Sequence, residues 1–189
     1  MPGTPPPPDP DLAAIAARVR SAGPGCGEVR LVCVDGPAGS GKTTLAAGLS
    51  RALGGAPVVH LDDLYEGWTQ PLGAPLAARI RQWLLDPWTT GRAGRHPRYD
   101  WGLGRYAEWT EVPAAPVVIL EGCGSAARGI RELASLVVWV EAEPAVRLAR
   151  GLERDGAALA TQWLDWQRRE AEHFAADGTR DAADVLVAT

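Results

Sequence analysis

Val29-Arg30-Leu31-Val32-Cys33-Val34-Asp35-Gly36-Pro37-Ala38-Gly39-Ser40-Gly41-Lys42-Thr43-Thr44 is the stretch that decides the fold. Its first half is a short apolar, β-branched run of the buried-strand type. Its second half fits G-x-x-x-x-G-K-[ST], in which glycines let backbone N–H groups close around phosphates and the lysine reaches the β/γ oxygens. From Thr43 to Leu53 apolar residues recur at helical spacing. Strand, glycine loop and helix N-terminus together aim free N–H groups and the positive end of a helix dipole at an anion. A nucleoside triphosphate is the implied ligand. ATP with Mg2+ would be cradled by Gly36, Ala38, Gly39, Ser40, Gly41, Lys42, Thr43 and Thr44, with the Thr43 hydroxyl on the metal. Lys42 is the only lysine in the chain, every other basic residue being arginine. A composition that avoids lysine has kept one where a compact ammonium, unlike a planar guanidinium, fits the loop.

Working outward, 189 residues suffice for one domain with a sizeable core. A net charge of −4 argues against nucleic acid as the main partner, because no basic stripe exists to neutralise phosphates. Cys26, Cys33 and Cys123 lack metal-ligand spacing and read as free thiols, the last two in or beside core strands. No run approaches the ~20 apolar residues of a membrane span, and no signal-peptide pattern is visible, so a cytoplasmic location is expected. Residues 1–10 are proline-dominated and read as a disordered or polyproline-II tail ahead of a single domain at 11–189.

Asp11 to Ser21 reads as an amphipathic helix with Leu12, Ile15, Ala16 and Val19 on one face. Further strands are expected at 57–61, 116–120, 136–140 and 184–188. Helices are expected at 74–85, 126–133, 144–154 and 159–176, and a loop-rich insertion at 87–111. Apolar strands alternating with helices predict an α/β fold, a three-layer P-loop NTPase sandwich whose five-stranded parallel sheet has helices on both faces.

Ligands of such sheets bind beyond the carboxyl ends of the strands. Asp62-Asp63 ends the second strand and Glu121 the third. The first position suits a base facing a phosphate acceptor, and the second suits Mg2+, a hard cation that takes oxygen ligands. Either acid alone could equally be a helix cap or a solvated side chain. Because strand neighbours point to opposite faces, only one of Asp62 and Asp63 is expected to address the acceptor. Arg147, Arg150 and Arg154 share one helix face after Pro144, placed to neutralise charge spreading over a transferred phosphoryl group. A solvated face paired with Glu143, Glu153 and Asp155 is the alternative. The aromatic residues of the insertion read mainly as a satellite cluster, some of them able to line an acceptor pocket. Trp163 and Trp166 read as core.

Together these residues resemble the uridine kinase family of P-loop small-molecule kinases, which also holds phosphoribulokinase-like, pantothenate kinase-like and nicotinamide riboside kinase-like enzymes. Asp62-Asp63-Leu64-Tyr65 is similar to the family's Asp-x-Phe-Tyr, implying Asp62 as the base and Tyr65 near the acceptor. Pro97-Arg98-Tyr99-Asp100-Trp101 resembles a segment lining the nucleoside site, implying roles for Tyr99 and for the nearby Arg105. Glu121-Gly122 resembles the Glu-Gly whose Glu serves Mg2+. Arg147 to Asp155 resembles the lid motif, implying Arg150 and Arg154 in catalysis and Arg147 on the nucleotide. Ala183 to Val187 resembles the closing strand. Gly104 stands where the family reads the base with a histidine, Arg105 falls one position short, and Gly151 replaces a second consecutive lid arginine.

The resemblance implies transfer of a γ-phosphoryl group to a hydroxyl of a small molecule, uridine or cytidine being the type, by a monomer or homo-oligomer. A nucleoside-monophosphate or shikimate-type kinase, a vitamin or sugar kinase, and an ATP-binding module without turnover stay open. A regulatory GTPase does not fit, since its Asn-Lys-x-Asp needs a lysine that this chain lacks.

Overall fold

Runs of apolar residues on both faces of a strand require cover on both sides, and this is how the sheet is built. The computed structural model describes residues 10–68 and 72–189; the expected proline-rich tail lies almost wholly outside them. Strands β1 (Arg30–Asp35), β2 (Val58–His60), β5 (Val117–Glu121), β6 (Ala134–Glu141) and β7 (Val185–Ala188) form a parallel sheet in the order β2-β5-β1-β6-β7. Side chains alternate between two cores. Leu31, Cys33, Val118, Leu120 and Val137 face one, and Val32, Val34, Ile119, Leu136, Val138 and Val140 the other. The second core is closed by α1 (Leu12–Ser21), whose Asp11 cap accepts the Ala14 N–H at 2.9 Å, and by α2 (Lys42–Ala52). The first is closed by α3 (Ala74–Ile80), a π-helical turn over Arg81–Leu85, α4 (Asp86–Thr89), α5 (Arg128–Arg131) and Trp166 of α7 (Ala160–Asp177). Between β6 and α7 runs α6 (Pro144–Asp155), the helix expected to act as a lid. Cys26, Cys33 and Cys123 are buried free thiols.

Two expectations of local structure need correction. The segment 87–111 is not loop-rich: it holds an antiparallel hairpin, β3 (Gly94–Asp100) with β4 (Arg105–Val112), which forms a two-stranded sheet of its own. Its strands lack apolar alternation, and Pro97, which has no N–H to give, stands inside one. The register shifts between Pro97 and Tyr99. What holds the hairpin is aromatic contact across strands and onto the π turn: Tyr99 on Tyr106, and Trp83 on Tyr106 and Trp109. At its tip Asp100 accepts the N–H groups of Gly102 and Leu103, and Gly104 takes φ +64°, a conformation that a histidine adopts at a cost. The second correction is at Asp62-Asp63, which lies in a 3-10 turn (Leu61–Asp63) rather than on β2, so strand alternation does not separate these two acids.

Candidate active site

The glycine loop takes its shape from contacts that only glycine permits. Gly36, Gly39 and Gly41 have φ of +139°, +77° and +91°. A Cβ on Gly36 would strike the Val140 carbonyl, and one on Gly39 would lie 2.5 Å from the Arg147 carbonyl. Beneath the loop, fully buried Asp35 accepts N–H groups from Gly36 (2.6 Å), Gly124 (2.9 Å) and Ala126 (2.7 Å). Burial pushes its carboxyl up to about 6, against the pull of those three N–H groups and Lys42. Tying Ala126 down in this way also delays the following helix, which spans only Arg128–Arg131.

Lys42 opens α2 and is nearly buried, its Nζ donating to the Pro37 carbonyl at 2.9 Å and lying 3.6 Å from Cys123 Sγ. Burial pulls its pKa down, but Cys123, Glu121, Asp35 and Glu170 outweigh that and raise it, so the ammonium stays charged. Thr43 Oγ1 donates to Glu121 Oε1 at 3.2 Å. One hydroxyl and one nearly buried carboxylate, both hard oxygen donors, fit Mg2+, which keeps several waters and binds through one or two carboxylates plus phosphate. No group of three or more His, Cys, Asp or Glu fit to hold a metal occurs among the described residues, so the remaining ligands of such an ion would be phosphate and water.

The loop forms one wall of a cleft of about 1110 Å3, at the upper end of single-ligand sites at about 300–1,000 Å3. Ala38, Gly39, Gly41, Lys42, Thr43, Thr44, Glu121 and Arg150 line it at the glycine loop, and Arg154 lies within electrostatic reach of both Glu121 and Asp62. Asp62, Asp63, Tyr65, Trp68, Arg98, Tyr99, Asp100 and Trp101 line its other end, with Trp163 and Trp166 of α7. Asp62 opens onto the cleft amid dense protein; that burial, and the Glu121 charge, hold its carboxyl above the usual carboxylate range.

Several expected site residues do other work. Arg147 is not on the cleft: its guanidinium is buried and bonded to Glu170 Oε1 (2.6 Å), the Ala142 carbonyl (3.1 Å) and the Ala38 carbonyl (3.3 Å). It braces the loop from behind. Ala38 lines the cleft, but its N–H is taken by Glu170 Oε2 at 2.8 Å. Ser40 is fully buried, its hydroxyl without a partner and its carbonyl accepting from Thr189 Oγ1. Tyr65 presents its ring, while its hydroxyl donates to the Cys123 carbonyl at 3.0 Å. Arg105 faces solvent in register with Asp100, off the cleft; Arg98 takes the place on the cleft wall and is chelated by Glu108.

The lid arginines divide. Arg150 donates to the Gly39 carbonyl (3.3 Å) and Thr189 Oγ1 (3.0 Å), and Arg154 makes a bidentate pair with Asp155 (2.7 and 3.0 Å). Gly151 between them is dictated by Trp163, whose indole packs on its Cα.

Three functional neighbours escaped the sequence reading. Trp163 belongs to the cleft wall as well as the core. His60 ends β2 with Nδ1 2.5 Å from Glu121 Oε1, a bond that raises its pKa despite partial burial. Glu170 is 1 % exposed. A signal for it existed: Trp163, Trp166 and Glu170 fall at i, i+3 and i+7, so an acid occupies the buried stripe of a helix.

No family model and no curated protein matches the chain by sequence. Solved structures do match in fold. A protein described as a possible uridine kinase, from Bacillus stearothermophilus, superposes with TM-score 0.68 at 16% identity, over 93% of this chain and 96% of its own. A candidate fructose transport system kinase from Silicibacter sp. TM1040 gives TM-score 0.67 at 20% identity, over 94% and 98%. A circularly permuted P-loop kinase candidate from Saccharomyces cerevisiae gives 0.53 at 11% identity, over 94% and 96%. The chain thus has the P-loop kinase fold.

Proposed function

We propose that the protein transfers the γ-phosphoryl group of ATP to a hydroxyl of a small, non-anionic molecule, with a nucleoside as the type, and that residues 11–189 act as one catalytic domain. The observation that carries this reading is the polarity of the cleft. Lys42 and Arg150 lie at the glycine-loop end, whereas Asp62, Asp63 and Asp100 line the acceptor end. Of the two arginines nearest those acids, Arg98 is neutralised by Glu108 and Arg154 by Asp155. An acceptor that already carries phosphate or carboxylate would meet three carboxylates there, which disfavours the nucleoside-monophosphate and shikimate types.

Each residue then has a task. Free N–H groups of the loop and the start of α2 receive the phosphates, and Lys42 exchanges the Pro37 carbonyl for phosphate oxygens. Thr43 and Glu121 would hold Mg2+, which when bound shields phosphate charge. Asp62 orients the acceptor hydroxyl and takes its proton as the O–P bond forms. Arg150 and Arg154 meet negative charge on the phosphoryl oxygens, Arg154 leaving Asp155 to do so. The aromatic wall excludes water and presents faces for a ring.

ADP release measured over a panel of nucleosides, vitamins, sugars, nucleoside monophosphates and shikimate tests the reading. Turnover confined to non-anionic alcohols is expected; turnover of the anionic acceptors alone would overturn it.

A further inference from the structure

The buried carboxylate of Glu170 joins the glycine loop, helix α6 and α7. Oε2 accepts the Ala38 N–H of the glycine loop (2.8 Å) and the Trp166 indole N–H (3.0 Å), and lies 3.6 Å from Cys123 Sγ. Oε1 accepts from Arg147 of the lid helix at 2.6 Å. Cys123 in turn touches Lys42, and Trp166 packs edge-on against Tyr65 and Trp68 of the acceptor wall.

Stability gives little reason for such an arrangement. Removing two charges from water costs several kcal/mol per ion, and apolar replacements of buried pairs are often neutral or stabilising. An apolar pair, however, could neither hold the Ala38 N–H nor fix the distance between loop and lid helix.

We propose that Glu170 is a positioning residue that sets the glycine loop and the arginine helix α6 in register for nucleotide binding, an inference that rests on the ATP-binding reading of the loop. It touches neither nucleotide nor acceptor and acts through Ala38 and Arg147.

The geometry defines the informative variants. An amide keeps one acceptor oxygen. The donors crowd Oε2, so in Glu170→Gln that oxygen stays with them and the NH2 faces Arg147, donor against donor. The carboxylate tie between loop and helix α6 is then lost, only the longer Arg147 and Arg150 bonds to the Ala38 and Gly39 carbonyls remain, and a guanidinium is left buried without its counter-charge. Arg147→Met/Glu170→Gln removes that charge as well, so folding stability returns while the tie stays lost.

Calorimetric titration of Mg·ADP into the full chain, beside thermal melts, separates positioning from mere structure. Glu170→Gln is expected to raise Kd about tenfold or more, the scale on which small displacements of binding groups act. The double variant is expected to recover the wild-type Tm and keep the weakened Kd. Should Glu170→Gln fail to fold, the double variant alone decides. An unchanged Kd in the variants, or a Kd that recovers together with Tm, would overturn the inference. If the wild-type chain itself binds no Mg·ADP, the nucleotide reading falls and the inference with it, an outcome distinct from equal binding by all forms.

Discussion

Replacing Gly151 by alanine should loosen the lid and lower stability together. A Cβ at this position lies 2.5 Å from Trp163 Cε2 and 2.6 Å from Cη2, about 1 Å inside the roughly 3.5–4.0 Å of a comfortable carbon contact. The indole has little room to yield: it is 2 % exposed and its Nε1 donates to Asp155 Oδ2 at 3.0 Å. Overpacking of this kind costs about 1–3 kcal/mol, and alanine returns about 1 kcal/mol of helix propensity. The balance is a destabilisation of about 1 kcal/mol, or about 2–4 °C in Tm for a chain of this size. Asp155 also chelates Arg154, and the Arg154 guanidinium sits 5.7 Å from the Trp163 ring centre. Moving the ring therefore moves the arginine, and kcat should fall more than nucleotide affinity. Thermal melts and steady-state kinetics of Gly151→Ala check both parts. A variant that melts at or above the wild type with normal kcat would refute the packing account of this glycine.

Lys42→Ala should abolish turnover and weaken ATP binding, and Lys42→Arg should stay poor because the fork does not fit the space beside Pro37 and Cys123; full activity in the arginine variant would contradict this. Asp62→Asn should lower kcat by about 10²–10⁴-fold with ATP binding intact, and Asp63→Asn should do less; the opposite ranking would move the base to Asp63. On the proposed function Asp62 works ionised and its carboxyl is held above the usual carboxylate range, so kcat/KM should rise with pH along an acid limb that Asp62→Asn removes. Arg150→Ala and Arg154→Ala should reduce kcat more than they raise KM, since these contacts strengthen as charge moves; a pure KM effect would make them ground-state binders.

The parallel sheet was legible because a strand buried on both faces must be apolar throughout, as 31–34 and 117–120 are. The glycine loop was legible because its backbone geometry tolerates few side chains. The hairpin was not, since its strands are ordered by ring contacts with Trp83, a residue outside them. Arg147 shared a helical face with Arg150 and Arg154 in the sequence, yet one turn of depth decides that it meets Glu170 rather than the cleft. Arg105, expected near the acceptor, pairs with Asp100 in the ladder and faces solvent, while Arg98, for which no role was expected, lines the cleft. Partners that arrive from 23 or 132 residues away, as Arg147 and Ala38 do for Glu170, leave no local pattern to find.

The hairpin β3–β4 contributes Arg98, Tyr99, Asp100 and Trp101 to the cleft while sharing no backbone ladder with the sheet that carries the glycine loop. It is fastened by side-chain links such as Trp88 Nε1 to the Val112 carbonyl, Tyr106 to the Leu64 carbonyl and Trp101 to the Asp62 carbonyl. The hairpin is therefore joined to the rest of the described structure through side chains rather than through a strand ladder. On the proposed function, changes in hairpin sequence or length would retune which alcohol is accepted while leaving the glycine loop untouched, and a transplanted hairpin carrying its Trp83- and Trp88-facing residues would bring its own selectivity with it. One scaffold is in this way open to diversification by exchange of a single ribbon.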